Sequence, residues 1–221
     1  MTLDQHIAAL VDMGAIPPPS VHLADRVLWR CVFFMGPAGS GKTAVRAKFY
    51  LKHLDFTVID PDEIKVLNPD FDPEEPEGVH EWSKLMAEKK FIETVTSGCG
   101  ASVLVEGSGK TWENTARKIW LAQALGYTTF LVYVHAPVEV SIYRNRVRGC
   151  AGDRFVDETV VLEQSKNAPK SYAKLMKLVD KYSKIEKFTN RDLEKAKANF
   201  AAFPPPQTEN PLCRKTEEEG I

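Results

Sequence analysis

The chain has 221 residues, is 43% hydrophobic and 27% charged, and its 29 basic and 30 acidic residues leave a formal charge of −1. These values fit one soluble globular domain with a full core and exclude the broad basic footprint of a non-specific nucleic-acid binder. Four widely spaced cysteines, Cys31, Cys99, Cys150 and Cys213, form no C-x-x-C pair, which argues against a zinc site or disulfide framework and for a reducing, cytoplasmic setting. No apolar stretch approaches the length of a membrane span, and the polar start is not a signal peptide.

In chain order, Leu3, Ile7, Leu10 and Val11 share one helical face, so a short helix precedes the core. Pro17-Pro18-Pro19 ends it, making residues 1–20 a helix and a stiff connection. The apolar run Val27–Met35 predicts a buried strand and Ala44–Leu51 a helix. Phe56–Ile59 reads as a second strand ending in Asp60-Pro61-Asp62, and the proline- and carboxylate-rich segment 68–78 as a loop. A helix over about 79–97, a turn at Gly98-Cys99-Gly100 and a third strand at Val103–Val105 follow. Residues 111–125 predict a helix with Trp112, Ala116, Ile119 and Trp120 on one face. Thr128–Val134 is a fourth strand, and Pro137 opens the helix after it. Asp157 is placed to cap a helix that Pro169 should interrupt. The restarted helix carries Tyr172, Leu175, Met176 and Val179, and Ile185–Thr189 reads as a fifth strand. Residues 21–200 thus form one domain, and 201–221, with four prolines and a glutamate run, read as a disordered tail.

Strands alternating with helices at this spacing predict an α/β fold, a five-stranded parallel sheet flanked by helices, with ligands at the carboxyl ends of the strands. Between the first strand and its helix stands Gly36-Pro37-Ala38-Gly39-Ser40-Gly41-Lys42-Thr43, which matches G-x-x-x-x-G-K-S/T, the phosphate-binding loop of nucleoside triphosphate enzymes. Glycines let successive amides turn toward phosphate oxygens, and the helix start adds unpaired N–H donors. Lys42 would reach the terminal phosphates and Thr43 a magnesium ion.

Phosphoryl transfer further needs a group to deprotonate the acceptor and positive charge around the migrating phosphoryl. Asp62, just beyond the second strand, is the candidate base, although Asp60-Pro61-Asp62 is also good turn or helix-cap chemistry. Glu106 ends the third strand, where a carboxylate would meet the magnesium; the alternative is a solvated strand end. Gly107-Ser108-Gly109-Lys110-Thr111 resembles a second phosphate loop but lacks the first glycine, so Lys110 is assigned to the acceptor side. Arg144, Arg146, Arg148 and Arg154 cluster around a segment, about 144–157, where a lid over the phosphates is expected. Two or more of them should be solvated, and Arg148 and Arg154, nearest the glycine-bearing loop, are the candidates for phosphate contact. The five histidines show no metal-ligand spacing.

Over residues 30–191 the chain resembles the zeta-toxin family of P-loop kinases. The resemblance rests on Ile59-Asp60-Pro61-Asp62 with Asn68-Pro69-Asp70-Phe71, where Asn68 replaces a histidine, and on Val105-Glu106-Gly107-Ser108-Gly109-Lys110-Thr111, where Lys110 replaces an arginine. Gly126-Tyr127, Ala136-Pro137, Arg148 with Arg154, Asn167-Ala168-Pro169 and Asn190-Arg191 complete it. It implies a kinase using ATP and Mg2+, with Asp62 as base, Lys42, Thr43, Asn190 and Arg191 on ATP, and Arg148 and Arg154 clamping the phosphates. Glu106 and Lys110 would line the acceptor site, with Glu88 or Glu93 as a second acceptor-site glutamate. The family's acceptor is the 3′-hydroxyl of UDP-N-acetylglucosamine, and its partner is a small helical antitoxin. Related P-loop kinases act on polynucleotide 5′-hydroxyls, hydroxymethylated bases in phage DNA and small metabolites, so the nucleic-acid acceptors stay open. A GTPase would need a guanine-reading Asn-Lys-x-Asp segment, which Asn190-Arg191-Asp192-Leu193 does not supply. A non-catalytic nucleotide-binding module would need neither the aspartate after the second strand nor the lid arginines.

Overall fold

The computed structural model describes residues 29–53, 56–72, 78–97, 101–151 and 155–199. The expected N-terminal helix, the C-terminal tail, residues 73–77 of the acidic loop, the turn at Gly98-Cys99-Gly100 and Arg154 lie outside the described residues. The elements are β1 (Arg30–Met35), α1 (Lys42–His53), β2 (Phe56–Ile59), α2 (Pro61–Lys65), α3 (His80–Thr96), β3 (Ser102–Gly107), α4 (Glu113–Ala124), β4 (Thr128–His135), α5 (Val138–Cys150), α6 (Glu158–Leu175), β5 (Lys181–Glu186) and α7 (Asn190–Asn199).

All five strands are parallel, in the order β2-β3-β1-β4-β5. The first strand in sequence is therefore central, and its buried run Cys31–Met35 is what a strand covered on both faces requires. Alternation sends Cys31, Phe33 and Met35 into one layer, with Phe91, Ile119 and Leu175 from α3, α4 and α6. Val32 and Phe34 enter the other layer, with Val45 of α1 and Leu104, Val132 and Val134. A smaller cluster of Ala136, Val140, Tyr143 and Ala196 joins α5 to α7. Every strand points its carboxyl end at one edge of the sheet. No helix among the described residues is long and apolar enough to cross a membrane.

Several elements differ from expectation. The fifth strand is Lys181–Glu186, not 185–189. As an edge strand it is mostly exposed, so its sequence carries no apolar run, and the Asp180 carboxylate sets its start by accepting from Thr129 N and Oγ1, each at 2.7 Å. Pro169 does not interrupt α6: the exposed ring sits on the solvent side, while buried Ala168, Ser171 and Leu175 hold both halves on one axis. Asp157 caps that helix as expected, accepting from Thr159 N at 2.8 Å. Residues 61–65 form a short helix capped by Asp60, so Asp60-Pro61-Asp62 is a helix start rather than a simple turn. Cys31 is free and buried in the core.

Candidate functional site

The phosphate loop leaves β1 at the centre of the sheet, between the ends of β3 and β4. It is packed from below: a Cβ at Gly39, where φ is 76°, would stand 2.1 Å from the Ser141 carbonyl oxygen of α5. Only glycine lets the loop approach that helix so closely. The Lys42 ammonium donates to the Gly36 carbonyl at 2.7 Å and the Pro37 carbonyl at 3.1 Å. Ser40 is fully buried and its hydroxyl has no hydrogen-bond partner, an orphan polar group of the kind a phosphate oxygen would satisfy. Ala38 donates its amide to Gln164 Oε1 of α6 at 2.9 Å, so α6 is tied to the loop.

Sheet register builds the neighbouring carboxylate cluster. Phe34 lies beside Glu106 and Ile59 beside Val105, so Asp60 leaves β2 next to Glu106. Asp60 also caps α2, accepting from Asp62 N at 2.9 Å. Arg46, one turn beyond Lys42 on α1, reaches across to both: Nη1 lies 3.1 Å from Asp60 Oδ2 and 2.7 Å from Glu106 Oε2, and Nη2 bonds Glu63. Burial, a hydrogen bond with Asp60 and the Asp60 charge push the Glu106 carboxyl up to about 8, against the lowering pull of Lys42 and Arg46. Burial opposes the Arg46 charge, yet Glu106, Glu63 and Asp60 together hold its pKa above the ordinary guanidinium value.

Two carboxylates held side by side on Arg46 are a donor set that suits a hard divalent cation. Among the described residues no group of three or more candidate ligands surrounds a metal position.

The zeta-toxin family profile matches residues 30–195, well over half of the chain. The chain belongs to the zeta-toxin family. No protein of curated function matches it. Among solved structures it is similar to a chain of the PezAT chromosomal toxin–antitoxin system of Streptococcus pneumoniae, at 14% identity and TM-score 0.58, covering 99% of this chain and 96% of that one. It is also similar to a chain of the Pnkp1/Rnl/Hen1 RNA repair complex (12% identity, TM-score 0.54, 70% of this chain and 49% of that one) and to one of the AvrRxo1-ORF1:AvrRxo1-ORF2 complex (18%, 0.53, 84% and 61%). At these identities the likeness shows the shared fold.

On this family member, the expected residues distribute as follows. Gly36–Thr43, Asp60, Glu106 and the start of α2 gather at one edge of the sheet, with Asp62 exposed at the second position of α2. Lys110 pairs with Glu163 of α6 at 2.8 Å, beside the helix position that holds the phosphate loop. Asn68, in the place of the family histidine, closes a local turn by accepting from Asp70 N at 2.8 Å. Arg148 Nη2 donates to Asn145 Oδ1 at 3.3 Å, and buried Asn145 clasps Val156 through its backbone N (3.1 Å) and O (2.6 Å). Arg146 is not solvated: it is buried and forms a fork with both carboxylate oxygens of Glu158. Asn190 and Arg191 are exposed at the start of α7, while Arg144 reaches the phosphate loop. Glu88 is half-buried and Glu93 is exposed beside Lys89. Sequence reasoning missed Arg46 and Gln164. Arg46 carried one signal, its place a helical turn after Lys42 on the same face; Gln164, remote in sequence from the loop it holds, carried none.

Proposed function

We propose that the chain is an ATP-dependent kinase that transfers the γ-phosphate to an alcohol hydroxyl, with a nucleotide sugar of the UDP-N-acetylglucosamine type as acceptor. The observation that carries this reading is the meeting of a glycine-built phosphate cradle with a carboxylate pair at the carboxyl edge of a parallel sheet. The amides of the loop and the Lys42 ammonium bind the phosphates. Thr43 and Glu106 hold magnesium, which supplies charge neutralisation on the phosphate oxygens when bound. Asp62, exposed at the mouth, accepts the proton of the acceptor hydroxyl. Arg148 and Arg154 supply positive charge to the migrating phosphoryl group, and Lys110 and Glu106 face the acceptor. Asn190 and Arg191 stand on the nucleotide side. A small helical antitoxin is the partner that the family membership suggests.

The test is an acceptor screen with γ-labelled ATP, spanning nucleotide sugars, nucleosides, 5′-hydroxyl oligonucleotides and hydroxymethylated DNA. Label should move to the nucleotide sugar and be lost in Lys42→Ala, whose side chain meets phosphates rather than core. Transfer to an oligonucleotide or to hydroxymethylated DNA would reassign the acceptor to nucleic acid. ATP binding without transfer to any acceptor would make the chain a nucleotide-binding module. Undiminished transfer by Lys42→Ala would remove the assignment of the loop.

A further inference from the structure

Directly after β5 the chain crosses the mouth of the phosphate loop. Lys187 donates its amide to the His135 carbonyl at 2.9 Å, extending the β4–β5 pairing by one residue. The lysine stem is thereby laid across Gly41, where φ is 93°: a Cβ built there would stand 2.8 Å from Lys187 Cγ and 3.7 Å from its Cβ. Arg144 arrives at the same point from α5. Its Nη1 lies 3.7 Å from that Cβ position and donates to the Lys187 carbonyl at 2.8 Å. Its Nη2 lies 3.6 Å from Asp192 Oδ2. Asp192 in turn accepts from the Thr189 amide at 2.7 Å and hydroxyl at 3.0 Å, and Phe188 and Leu193 pack against the α5–α7 cluster. The crossing segment is fixed from the side by Arg144 and from below by apolar contact.

The helix start that offers its free amides to the terminal phosphates of a triphosphate lies beside Gly41, while Ser141 packs beneath the loop and Gln164 of α6 holds Ala38. The side chain nearest Gly41 there is Lys187, and Arg144 stands behind it, bonded to the Lys187 carbonyl and 3.6 Å from Asp192. We propose that Lys187 is a nucleotide-contact residue, its ammonium placed for the phosphate chain on the ribose side, and that Arg144 is the positioning residue that holds it there. This rests on the ATP reading above and gives the site a cationic wall that no motif residue supplies. Arg144 holds Lys187 through the backbone carbonyl, so its own contribution passes through the lysine.

Binding of a fluorescent ATP analogue separates the possibilities, with kcat and the ATP KM as a second readout. Lys187→Met keeps the stem over Gly41 and removes the charge; it should weaken binding by about tenfold, the scale of one charge-assisted hydrogen bond, with a larger change in KM than in kcat. Lys187→Arg should recover most of the loss. Arg144→Ala should weaken binding similarly and add little in the Lys187→Met background, since the two act as a unit. Arg144→Lys, which keeps a donor, is the variant to use if Arg144→Ala unfolds. Wild-type affinity in Lys187→Met overturns the contact, and a full additional loss from Arg144→Ala in that background overturns the positioning role. Lys42→Ala binding the analogue as tightly as wild type would overturn the phosphate-loop reading itself.

Discussion

Replacing Asp62 by asparagine keeps the shape of the side chain and removes its capacity to take a proton from a hydroxyl. ATP affinity should stay near wild type while transfer falls by roughly 100-fold or more, the usual scale for loss of a general base. Asp60→Asn is a different experiment, because Asp60 is a cap and an ion-pair partner of Arg46. Asparagine can still cap, but the Glu106 carboxyl loses a neighbouring charge that holds it up. Full transfer by Asp62→Asn with none by Asp60→Asn would move the base to the buried cluster. Arg146→Ala should cost about 3 kcal/mol in urea unfolding, because it leaves Glu158 facing a buried position without its partner. Its effect on ATP affinity should be small, since the pair holds α5 to α6 rather than touching the loop. At this scale the motif residues were legible because their spacing is itself the chemistry. Gly39 shows the limit: valine there would strike the Ser141 carbonyl before it filled any phosphate space, so the substitution tests loop packing.

Helices and strands were legible where one face is apolar and obscure where position, not pattern, decides. The central strand announces itself by five buried residues in succession, whereas β5 is a strand because β4 offers it a pairing edge. The α2 turn was hidden because Asp60-Pro61-Asp62 suits a turn and a helix start equally, with proline favoured at the first helical position. Pro169 misled because the penalty for proline inside a helix is real but can be outweighed by packing on the opposite face. That penalty should be recoverable: Pro169→Ala is expected to raise stability by about 1–3 kcal/mol in thermal or urea unfolding. At the other end of α6, Asp157→Ala should cost about 1 kcal/mol, the ordinary value of a side-chain cap. Opposite signs from one helix would separate its two halves.

For the molecule as a whole, the Glu106 carboxyl links stability to pH. Without nucleotide or metal, the folded chain binds this proton more tightly than the unfolded chain, whose glutamate has its ordinary value of 4.5. Its stabilising contribution is therefore complete below that value and is lost as pH rises toward about 8. Thermal unfolding in EDTA should show wild type losing stability relative to Glu106→Gln between about pH 5 and 8. Parallel curves would mean that the carboxyl titrates normally.

The strand order has a consequence for how the chain is made. Cys31 lies between Val103 and Thr129, so the strand that carries the phosphate loop emerges first and waits for both neighbours. The loop itself rests on Ser141 and is crossed by Lys187, residues released later still. Such long-range pairing is slow to nucleate, and ATP cannot template it because the walls of its site arrive last. Nucleotide should stabilise only the finished molecule, by mass action. A chain stopped after Ala124 should gain no protection from proteolysis when ATP is added, whereas the full chain should.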